Sequence, residues 1–268
     1  MADATLIGNG EAGQAFDVDG RWAAYDLLAD RTRAPSLEQA LHGAEVVLCV
    51  VTADQALLAA EAAAAYIPAG VLYCDMNSVA PETKRAAAAL IEAAGGRYVD
   101  VAVMAPVHPQ RRGVPLLVSG PHADSALAAL AGLGFTDARA VGPDVGRAST
   151  IKMLRSVMYK GVEALTAECL IACERAGVTD EVLASFGNDW ASGADYRLDR
   201  MLVHGLRRAA EMHESSQTLL SLGVAPMMTE NTVGWQQGLG DLKLSPVPKG
   251  LRAKLEAIVQ SPAFKGEI

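Results

Sequence analysis

The sequence lacks an excess of positive charge, which restricts the partners that the chain can bind. Over 268 residues the formal net charge is −8 at pH 7, and the isoelectric point is near 5.2. A surface that binds nucleic acid needs a basic footprint. The composition therefore argues against DNA or RNA as a partner.

Long uninterrupted apolar runs are also absent. No stretch of ~18 apolar residues occurs, although hydrophobic residues make up 51% of the chain and can build a substantial core. The first residues lack the basic start and apolar run that are typical of a signal peptide. We therefore expect no membrane partner and a soluble, cytoplasmic protein.

Cysteine is scarce, with four residues in the chain. Cys49 and Cys74 lie within apolar runs typical of strands, and Cys169 and Cys173 lie four residues apart on a predicted helix. No histidine lies near the second pair in sequence, and no HExxH or comparable spacing occurs. We interpret all four as reduced thiols in the core and expect no metal.

The first 145 residues alternate short apolar runs with alanine-rich helical stretches. The runs lack polar–apolar alternation, so they predict a parallel sheet buried on both faces. Strand–helix–strand order with short links predicts an α/β fold, a doubly wound sheet of Rossmann type. Ser36 and Asp54 are predicted N-caps, and Pro81 suits a first helical turn. Predicted strands cover 4–7, 21–25, 45–51, 71–75, 98–103 and 115–119, with a weaker one at 137–141, and helices cover 36–42, 54–66, 81–94 and 122–132.

After Gly146 the pattern is helical throughout. From Arg147 to about Ala176 there is no proline and one glycine, which predicts a single helix of ~30 residues that ends at Gly177. The chain is therefore predicted as an α/β domain over 1–145, joined by this long helix to an all-α domain over 146–268. The further predicted helices cover 179–187, 196–221, 227–237 and 249–259.

A glycine motif follows the first strand, in "TLIGNGEAG". Gly8, Gly10 and Gly13 form GxGxxG, and Asp26 ends the next apolar run. This layout is typical of a dinucleotide-binding turn, in which the acid accepts from ribose hydroxyls and favours NAD over NADP. Arg31 and the nearby Arg33 weaken that preference, so NADP is not excluded.

The spacing of this motif is short. Twelve residues separate Gly13 from Asp26, against about 20 from motif to acid in the usual fingerprint. We predict a helix of about two turns from Glu11 to Phe16 or Asp17, which keeps the first turn that pyrophosphate needs. The alternative is a structural glycine turn without a cofactor.

A polar stripe runs along the long helix. Lys152, Ser156, Tyr159 and Glu163 are spaced i, i+4, i+7 and i+11, with Arg155 beside them. A lysine on a helix that joins two domains is placed to act as a general acid or base on a substrate hydroxyl. The alternative is an ordinary solvated face. An apolar stripe lies elsewhere on the helix, formed by Ile151, Leu154, Met158, Val162 and Leu165.

The chain resembles the β-hydroxyacid dehydrogenase superfamily, the group of 3-hydroxyisobutyrate and 6-phosphogluconate dehydrogenases. The resemblance covers most of the length and is carried by "IGNGEAG", "DMNSVAPET", "YVDVAVMAPV" and "GRASTIKMLRS". The stretch "HGLRRAAEMHESSQTLLSLGV" resembles a branch whose helical domain is known mainly as a domain of unknown function. The resemblance implies a Rossmann domain followed by a helical domain, and an oxidoreductase that uses NAD or NADP.

The resemblance also implies roles for individual residues. Lys152 occupies the position of the family's catalytic lysine, which exchanges the hydroxyl proton while hydride passes between the substrate and the nicotinamide. Asn77 and Ser78 match the polar pair beside the nicotinamide ribose, and Thr52 matches a strand-end position that borders the cofactor. The cofactor-binding candidates are thus Gly8, Gly10, Gly13, Asp26, Thr52, Asn77 and Ser78.

Two departures from the family pattern concern the substrate. The loop that usually reads Ser-Gly-Gly is here Met104, Ala105 and Pro106, which removes a hydroxyl and an amide donor. The asparagine four residues after the lysine is replaced by Ser156, with Arg155 just before it. A guanidinium can replace lost anion contacts by a bidentate bond. We therefore expect the reaction type to transfer better than the substrate identity.

The helix around 196–213 adds further substrate-binding candidates. His204, Arg208 and Glu211 are spaced i, i+4 and i+7, and in relatives the helical domain closes over the substrate, often across a dimer. The alternative for His204 and Arg208 is a solvated, salt-bridged surface. The apolar stripe of the long helix also needs a partner to bury it, so we expect a homodimer.

Three functions remain open. The first is an NAD-dependent dehydrogenase of a small hydroxy acid or related alcohol, with Lys152 as acid–base group. The second is a reductase of imines or other carbonyl-like groups, prompted by the altered Met104–Pro106 loop. The third is a cofactor-binding protein without chemistry, prompted by the shortened first helix. A substrate panel of keto acids and cyclic imines separates the first two.

Overall fold

The computed structural model describes residues 4–187 and 190–262. The chain divides between Met153 and Leu154 into two compact units. The division falls within the long helix, Arg147–Ala176, so its first seven residues, which include Lys152, belong to the α/β unit. The proposed boundary at 145/146 stays a prediction.

The first unit is an α/β sheet structure, which confirms the predicted fold class. Its central sheet has the strand order β2-β1-β3-β4-β5-β6-β7 within the described residues. The strands are β1 (Thr5–Ile7), β2 (Ala23–Tyr25), β3 (Val46–Cys49), β4 (Leu72–Asp75), β5 (Arg97–Val103), β6 (Leu116–Ser119) and β7 (Ala138–Gly142). The helices are α1 (Glu11–Phe16), α2 (Leu37–Leu41), α3 (Ala56–Ala64), α4 (Pro81–Ala93) and α5 (Ala123–Gly132).

One strand pair departs from the predicted parallel arrangement. β6 runs antiparallel to β5, with Val101 opposite Val118, and β7 is parallel to β6. The segment between β5 and β6 holds only a short 3₁₀ turn, Arg111–Gly113. Parallel neighbours are usually joined through a helix that packs on the sheet. The link between β5 and β6 has no such helix, and the chain returns in the opposite direction.

Apolar side chains cover both faces of the sheet. Leu48 and Cys74 face one core, whereas Val47, Cys49 and Tyr73 face the other. Both faces are therefore buried, which explains why the strands read as continuous apolar runs.

Three helix ends follow the local sequence, whereas the cap predicted at Asp54 does not and the helix predicted from 196 begins earlier, at Trp190. Ser36 Oγ accepts from the Gln39 amide at 3.1 Å and caps α2, and α4 begins at Pro81. The long helix ends at Ala176, followed by Gly177 with φ of +71°. The predicted N-cap at Asp54 is wrong, because Asp54 lies inside a 3₁₀ turn, Ala53–Gln55, that precedes α3.

Every secondary-structure element in the described part of the second unit is a helix, as predicted. It contains the larger part of α6 (Arg147–Ala176), then α7 (Thr179–Phe186), α8 (Trp190–Ser221), α9 (Met227–Asp241) and α10 (Leu251–Gln260). α8 and α9 approach closely at Gly205 and Gly240. A Cβ added at Gly205 would lie 2.3 Å from the Gln236 carbonyl oxygen, so only glycine fits there.

Within the described residues, none of the helices is long and apolar enough to cross a membrane.

Candidate active site

In the glycine turn after β1, packing excludes a side chain at two of the three glycines and leaves space for one at the third. A Cβ added at Gly8, where φ is +91°, would lie 2.3 Å from Val50 O. At Gly13 it would lie 2.4 Å from Gly8 O. At Gly10 the nearest atom would be Arg31 Nη1 at 3.5 Å, an ordinary contact. The protein itself therefore does not require glycine at position 10, and the bare backbone there fits the close approach of a pyrophosphate.

Asp26 lies at the end of β2 and is tied to this turn. Its Oδ2 accepts from the Asn9 amide at 2.8 Å, and its Oδ1 accepts from the Leu28 amide at 2.9 Å. The half-buried carboxylate is held beside the glycine turn by these two bonds. In dinucleotide-binding folds, the acid that accepts from the ribose hydroxyls also follows the second strand.

The two arginines that weaken the NAD prediction are placed differently. Arg33 donates to the buried carboxylate of Asp17 at 2.6 Å and is engaged in that ion pair. Arg31 borders the glycine turn, where its carbonyl accepts from Asn9 Nδ2 at 2.6 Å and its guanidinium lies near Gly10. Of the two arginines, Arg31 is therefore the one that borders the glycine turn.

The short helix α1 ends at Phe16, as the sequence predicts, and the chain closes it with a buried carboxylate. Asp17 accepts from the amides of Arg21 and Trp22, both at 3.2 Å. Arg112 donates to the Phe16 carbonyl and stacks over the Trp22 ring at 4.4 Å. These contacts replace the helical turns that a longer α1 would supply.

The polar pair after β4 has two different environments. Asn77 is buried, and its Oδ1 accepts from the Val51 amide at 2.6 Å, while its Nδ2 lies 3.3 Å from Cys49 Sγ. It therefore ties the end of β3 to the end of β4. Ser78, the next residue, is half-buried. Thr52, on the β3 side, is exposed and precedes the 3₁₀ turn.

Lys152 and Ser78 come together although they are 74 positions apart in the sequence. Lys152 Nζ donates to Ser78 Oγ at 2.5 Å. Both residues belong to the first unit. Two candidates that the sequence places in separate motifs thus form one direct contact.

Three charged residues of this unit were not among the predicted site residues. Lys84 is fully buried, and its Nζ donates to Asp75 Oδ1 at 2.8 Å and lies 3.5 Å from Asp100 Oδ1. Asp75 and Asp100 are also buried. The sequence signal for them is that Asp75 ends and Asp100 interrupts an apolar strand run, where an acid needs a buried partner.

Burial also changes the acidity of the groups around this cluster. Desolvation raises the pKa of the Cys49 and Cys74 thiols to about 12. It also raises the pKa of Tyr98, whose hydroxyl donates to Asp75 Oδ2 at 2.7 Å. The two thiols are therefore protonated at neutral pH and belong to the core, as the sequence predicts.

The loop that follows β5 carries the altered substrate motif. The Met104 amide donates to Pro115 O at 2.9 Å, and the Met104 side chain packs against a small core of Ala102, Leu117 and Ala148. Ala105 is half-buried, and Pro106 is exposed. The loop therefore offers apolar surface at Met104.

Three of the substrate-binding candidates in the second unit contact other side chains of that unit. Arg155 lies over the Tyr159 ring at 4.2 Å, and Ser156 Oγ accepts from Lys160 Nζ at 3.3 Å. His204 is half-buried. Arg208 is buried and forms an ion pair with Glu163.

The Arg208–Glu163 pair belongs to a polar cluster inside the helical unit. Gln236 Nε2 donates to Glu163 Oε2 at 2.9 Å, and Lys160 forms an ion pair with Glu211 at 2.8 Å. Desolvation lowers the pKa of Lys160. The predicted stripe along α6 is thus buried at Glu163 and exposed at Tyr159.

Two family models match separate parts of the chain. Residues 7–131 match the NAD binding domain of 6-phosphogluconate dehydrogenase. Residues 173–239 match a domain of unknown function, DUF1932. The first match contains the glycine turn, Asp26, Asn77 and Ser78.

Solved structures resemble the chain over nearly its full length. A conserved hypothetical protein from Sinorhizobium meliloti 1021 is 34% identical, with coverage of 97% of this chain and 96% of that protein and a TM-score of 0.75. The conserved protein MTH1747, whose structure is described as similar to 3-hydroxyacid dehydrogenases, is 30% identical, with coverage of 90% and 97% and a TM-score of 0.69. The chain belongs to the β-hydroxyacid dehydrogenase family.

A more distant member of this family shares the fold. The 3-hydroxyisobutyrate dehydrogenase of Mycobacterium tuberculosis, solved with L-serine, is 13% identical, with coverage of 97% of this chain and 100% of that protein and a TM-score of 0.72. The match to the NAD-binding domain and the glycine turn agree on a nicotinamide cofactor. As a β-hydroxyacid dehydrogenase family member, the chain is an NAD(P)-dependent oxidoreductase of the hydroxyacid dehydrogenase type.

Within the described residues, no group of three or more His, Cys, Asp or Glu side chains is arranged to hold a metal ion.

Proposed function

We propose that the protein is an NAD-dependent dehydrogenase of a small hydroxy acid, or of a related alcohol or carbonyl compound, with Lys152 as general acid and base. The contact between Lys152 Nζ and Ser78 Oγ carries this proposal. It brings an amine to the strand-end segment that resembles the nicotinamide-ribose site of the family.

The protein's own residues would divide the work between binding and proton transfer. Gly10 would leave room for the pyrophosphate, and Asp26 would accept from the ribose hydroxyls. A bound nicotinamide supplies the hydride acceptor for oxidation and the hydride donor for reduction. Lys152 Nζ would take the hydroxyl proton during oxidation and return it during reduction, while Ser78 Oγ fixes the direction of the amine.

Substrate recognition would use residues that follow Lys152 on the same helix. Arg155 and Ser156 lie three and four residues further along α6 and so share its side with Lys152. A guanidinium is suited to a carboxylate, so we assign Arg155 to the acid group of the substrate and Met104, Ala105 and Pro106 to its apolar part. His204 and Arg208 remain proposed substrate-binding residues. The ion pair with Glu163 holds the Arg208 guanidinium in place.

Cofactor choice would follow the balance between Asp26 and Arg31. The Asp26 carboxylate is held in place by two amides, and it would repel the 2′-phosphate of NADP. Arg31 lies at the same turn and would favour that phosphate. We propose NAD as the preferred cofactor because the Asp26 carboxylate is ordered at the end of the second strand, where an NAD-binding fingerprint has its acid.

The first test combines cofactor binding with turnover. The purified protein is titrated with NADH and with NADPH by fluorescence, and then assayed with a panel of hydroxy acids, keto acids and cyclic imines. We expect NADH to bind at least about tenfold more tightly than NADPH, since loss or repulsion at one charged contact costs about 1.4 kcal/mol or more. We also expect turnover of a hydroxy acid.

The Lys152→Ala variant tests the role of the amine, with the exposed Lys249→Ala as its matched control. Loss of the general acid–base should lower turnover by roughly a hundredfold or more, with NADH affinity close to that of the wild type, and the control should leave both unchanged. Weakened NADH binding in Lys152→Ala would contradict the assigned role. Turnover of imines alone, or NADH binding without any turnover, would favour one of the other two functions.

A further inference from the structure

Three buried charged residues connect the segment that carries Ser78 with the helix that carries Lys152. Lys84 and Asp100 are 0% exposed and Asp75 is 1% exposed. Lys84 Nζ is 2.8 Å from Asp75 Oδ1 and 3.5 Å from Asp100 Oδ1. We call these three residues the buried triad.

On one side, the triad fixes the turn that leads to Ser78. Asp75 is the last residue of β4, and its Oδ1 accepts from the Asn77 amide at 2.9 Å. Its Oδ2 accepts from the Tyr98 hydroxyl at 2.7 Å, and Lys84 Nζ also donates to the Asp75 carbonyl at 2.6 Å. These bonds hold both carboxylate oxygens and the carbonyl oxygen of Asp75, so the chain from Asp75 to Ser78 has little freedom to shift.

On the other side, the triad caps the helix that carries Lys152. Asp100 Oδ2 accepts from the amides of Gly146 and Ser149, both at 3.1 Å, and Asp100 Oδ1 accepts from Ser149 Oγ at 2.6 Å. A carboxylate at a helix N-terminus satisfies free amides and favours the positive end of the helix dipole. Although Asp100 belongs to β5, it thus performs the work of an N-cap residue for α6.

A second residue of the sheet extends this cap. Ser119, on β6, donates to Asp100 Oδ2 at 3.1 Å and accepts from the Ala148 amide at 3.0 Å. Lys152 lies three residues beyond Ser149, so the two side chains share one side of the helix, one turn apart. Fixing Ser149 therefore fixes the point from which the Lys152 side chain extends.

We propose that the buried triad of Asp75, Lys84 and Asp100 is a positioning device, which sets the distance between Ser78 and Lys152 by linking the turn that carries one to the helix that carries the other. A buried ion pair is a weak source of stability, because desolvation offsets most of the attraction. A geometric role accounts for three buried charges where apolar residues would fill the same space. The inference rests on the proposed function, since it gives Lys152 its task.

The test measures the reactivity of Lys152 and requires no substrate. The protein is acylated with trace acetic anhydride over a range of pH, and labelling of Lys152 is read by peptide mass spectrometry against exposed Lys249. The variants are Asp100→Asn, which removes the charge, and Ser149→Ala, a milder change. The matched control is Ser36→Ala, which removes a helix cap at α2.

If the triad positions Lys152, both variants loosen its bond to Ser78. We expect the relative acylation of Lys152 to rise at least about threefold in Asp100→Asn, and less in Ser149→Ala, because an amine released from a hydrogen bond is the better nucleophile. The pH profile of the labelling should shift with it. Ser36→Ala should match the wild type throughout.

Two results would overturn the proposal. The first is an unchanged Lys152 profile in folded Asp100→Asn, or in Ser149→Ala if Asp100→Asn does not fold. The second is an equal change in Ser36→Ala, which would reflect general loosening. Failure of the proposed function is a separate result, namely wild-type protein that binds NADH and turns over no hydroxy acid, because the acylation profile is read without turnover.

Discussion

At the scale of single residues, the three glycines of the turn do different work. Gly8 and Gly13 are required by the chain itself, since an added Cβ would overlap backbone oxygens at 2.3 and 2.4 Å. Gly10 has ordinary space around it and an extended backbone, with φ of −79°. The chain's own packing therefore does not require glycine at position 10, and the approach of a cofactor is our proposed reason for it.

The variant Gly10→Ala should separate binding from folding. We expect its thermal unfolding to match the wild type, while NADH affinity falls at least about tenfold, because the methyl group occupies the space of the pyrophosphate. Gly132→Ala, in α5 where an added Cβ meets nothing within 4 Å, is the matched control. It should bind NADH normally and gain up to about 1 kcal/mol in stability.

An unchanged NADH affinity in Gly10→Ala would remove the main support for a cofactor at this turn. Gly8→Ala, by contrast, should lower the free energy of unfolding, because its φ of +91° and the Val50 carbonyl both exclude a side chain. A loss of binding in Gly8→Ala alone would therefore reflect folding.

The sequence predicts a residue of the site only where that residue lies in a recognisable local motif. Gly8, Asp26, Ser78 and Lys152 stand in recognisable stretches, and their contacts follow once the strands are ordered. The link through Lys84 could not be predicted, since its partners Asp75 and Asp100 lie on two different strands. Buried charge pairs of this kind depend on strand order and register, which apolar patterns do not encode.

At the scale of elements, apolar periodicity and helix signals predicted nearly every strand and helix. The direction of β6 was missed because parallel and antiparallel strands share one pattern when both faces are buried. The end of α1 was predicted, but the way in which it is stabilised was not. The buried carboxylate of Asp17 does this, by accepting from the amides of Arg21 and Trp22 and from Arg33.

The variant Asp17→Ala should therefore destabilise the first unit. We expect the free energy of unfolding to fall by about 3 kcal/mol, because three donors lose a buried, charged acceptor. Urea denaturation measures this change. The matched control is Asp19→Ala, whose exposed pair with Arg21 should contribute less than about 0.5 kcal/mol. Equal stability of the two variants would show that the closure of α1 depends on its apolar contacts instead.

At the scale of the whole molecule, most of the apolar stripe of α6 is exposed within the described residues. Met158 and Leu165 are 67% and 57% exposed, and on α8 Val203 is 51% exposed. Exposed apolar side chains in such numbers are typical of an interaction surface. The spacing of apolar residues predicts the stripe. The partner that covers the stripe lies outside the single chain, so its identity stays a prediction.

We expect that partner to be a second copy of the chain. A twofold dimer buries the same surface of both copies, so a single charge introduced there enters the interface twice. Sedimentation velocity should give about twice the mass of one chain for the wild type, and roughly the mass of one chain for Met158→Glu and Leu165→Glu, since an unpaired buried charge costs several kcal/mol. Leu58→Glu is the matched control, because Leu58 is a similarly exposed leucine, at 55%, on α3 of the other unit. A monomeric wild type, or a dimer that both α6 variants leave intact, would contradict this assignment and would mean that another partner or no partner covers the stripe.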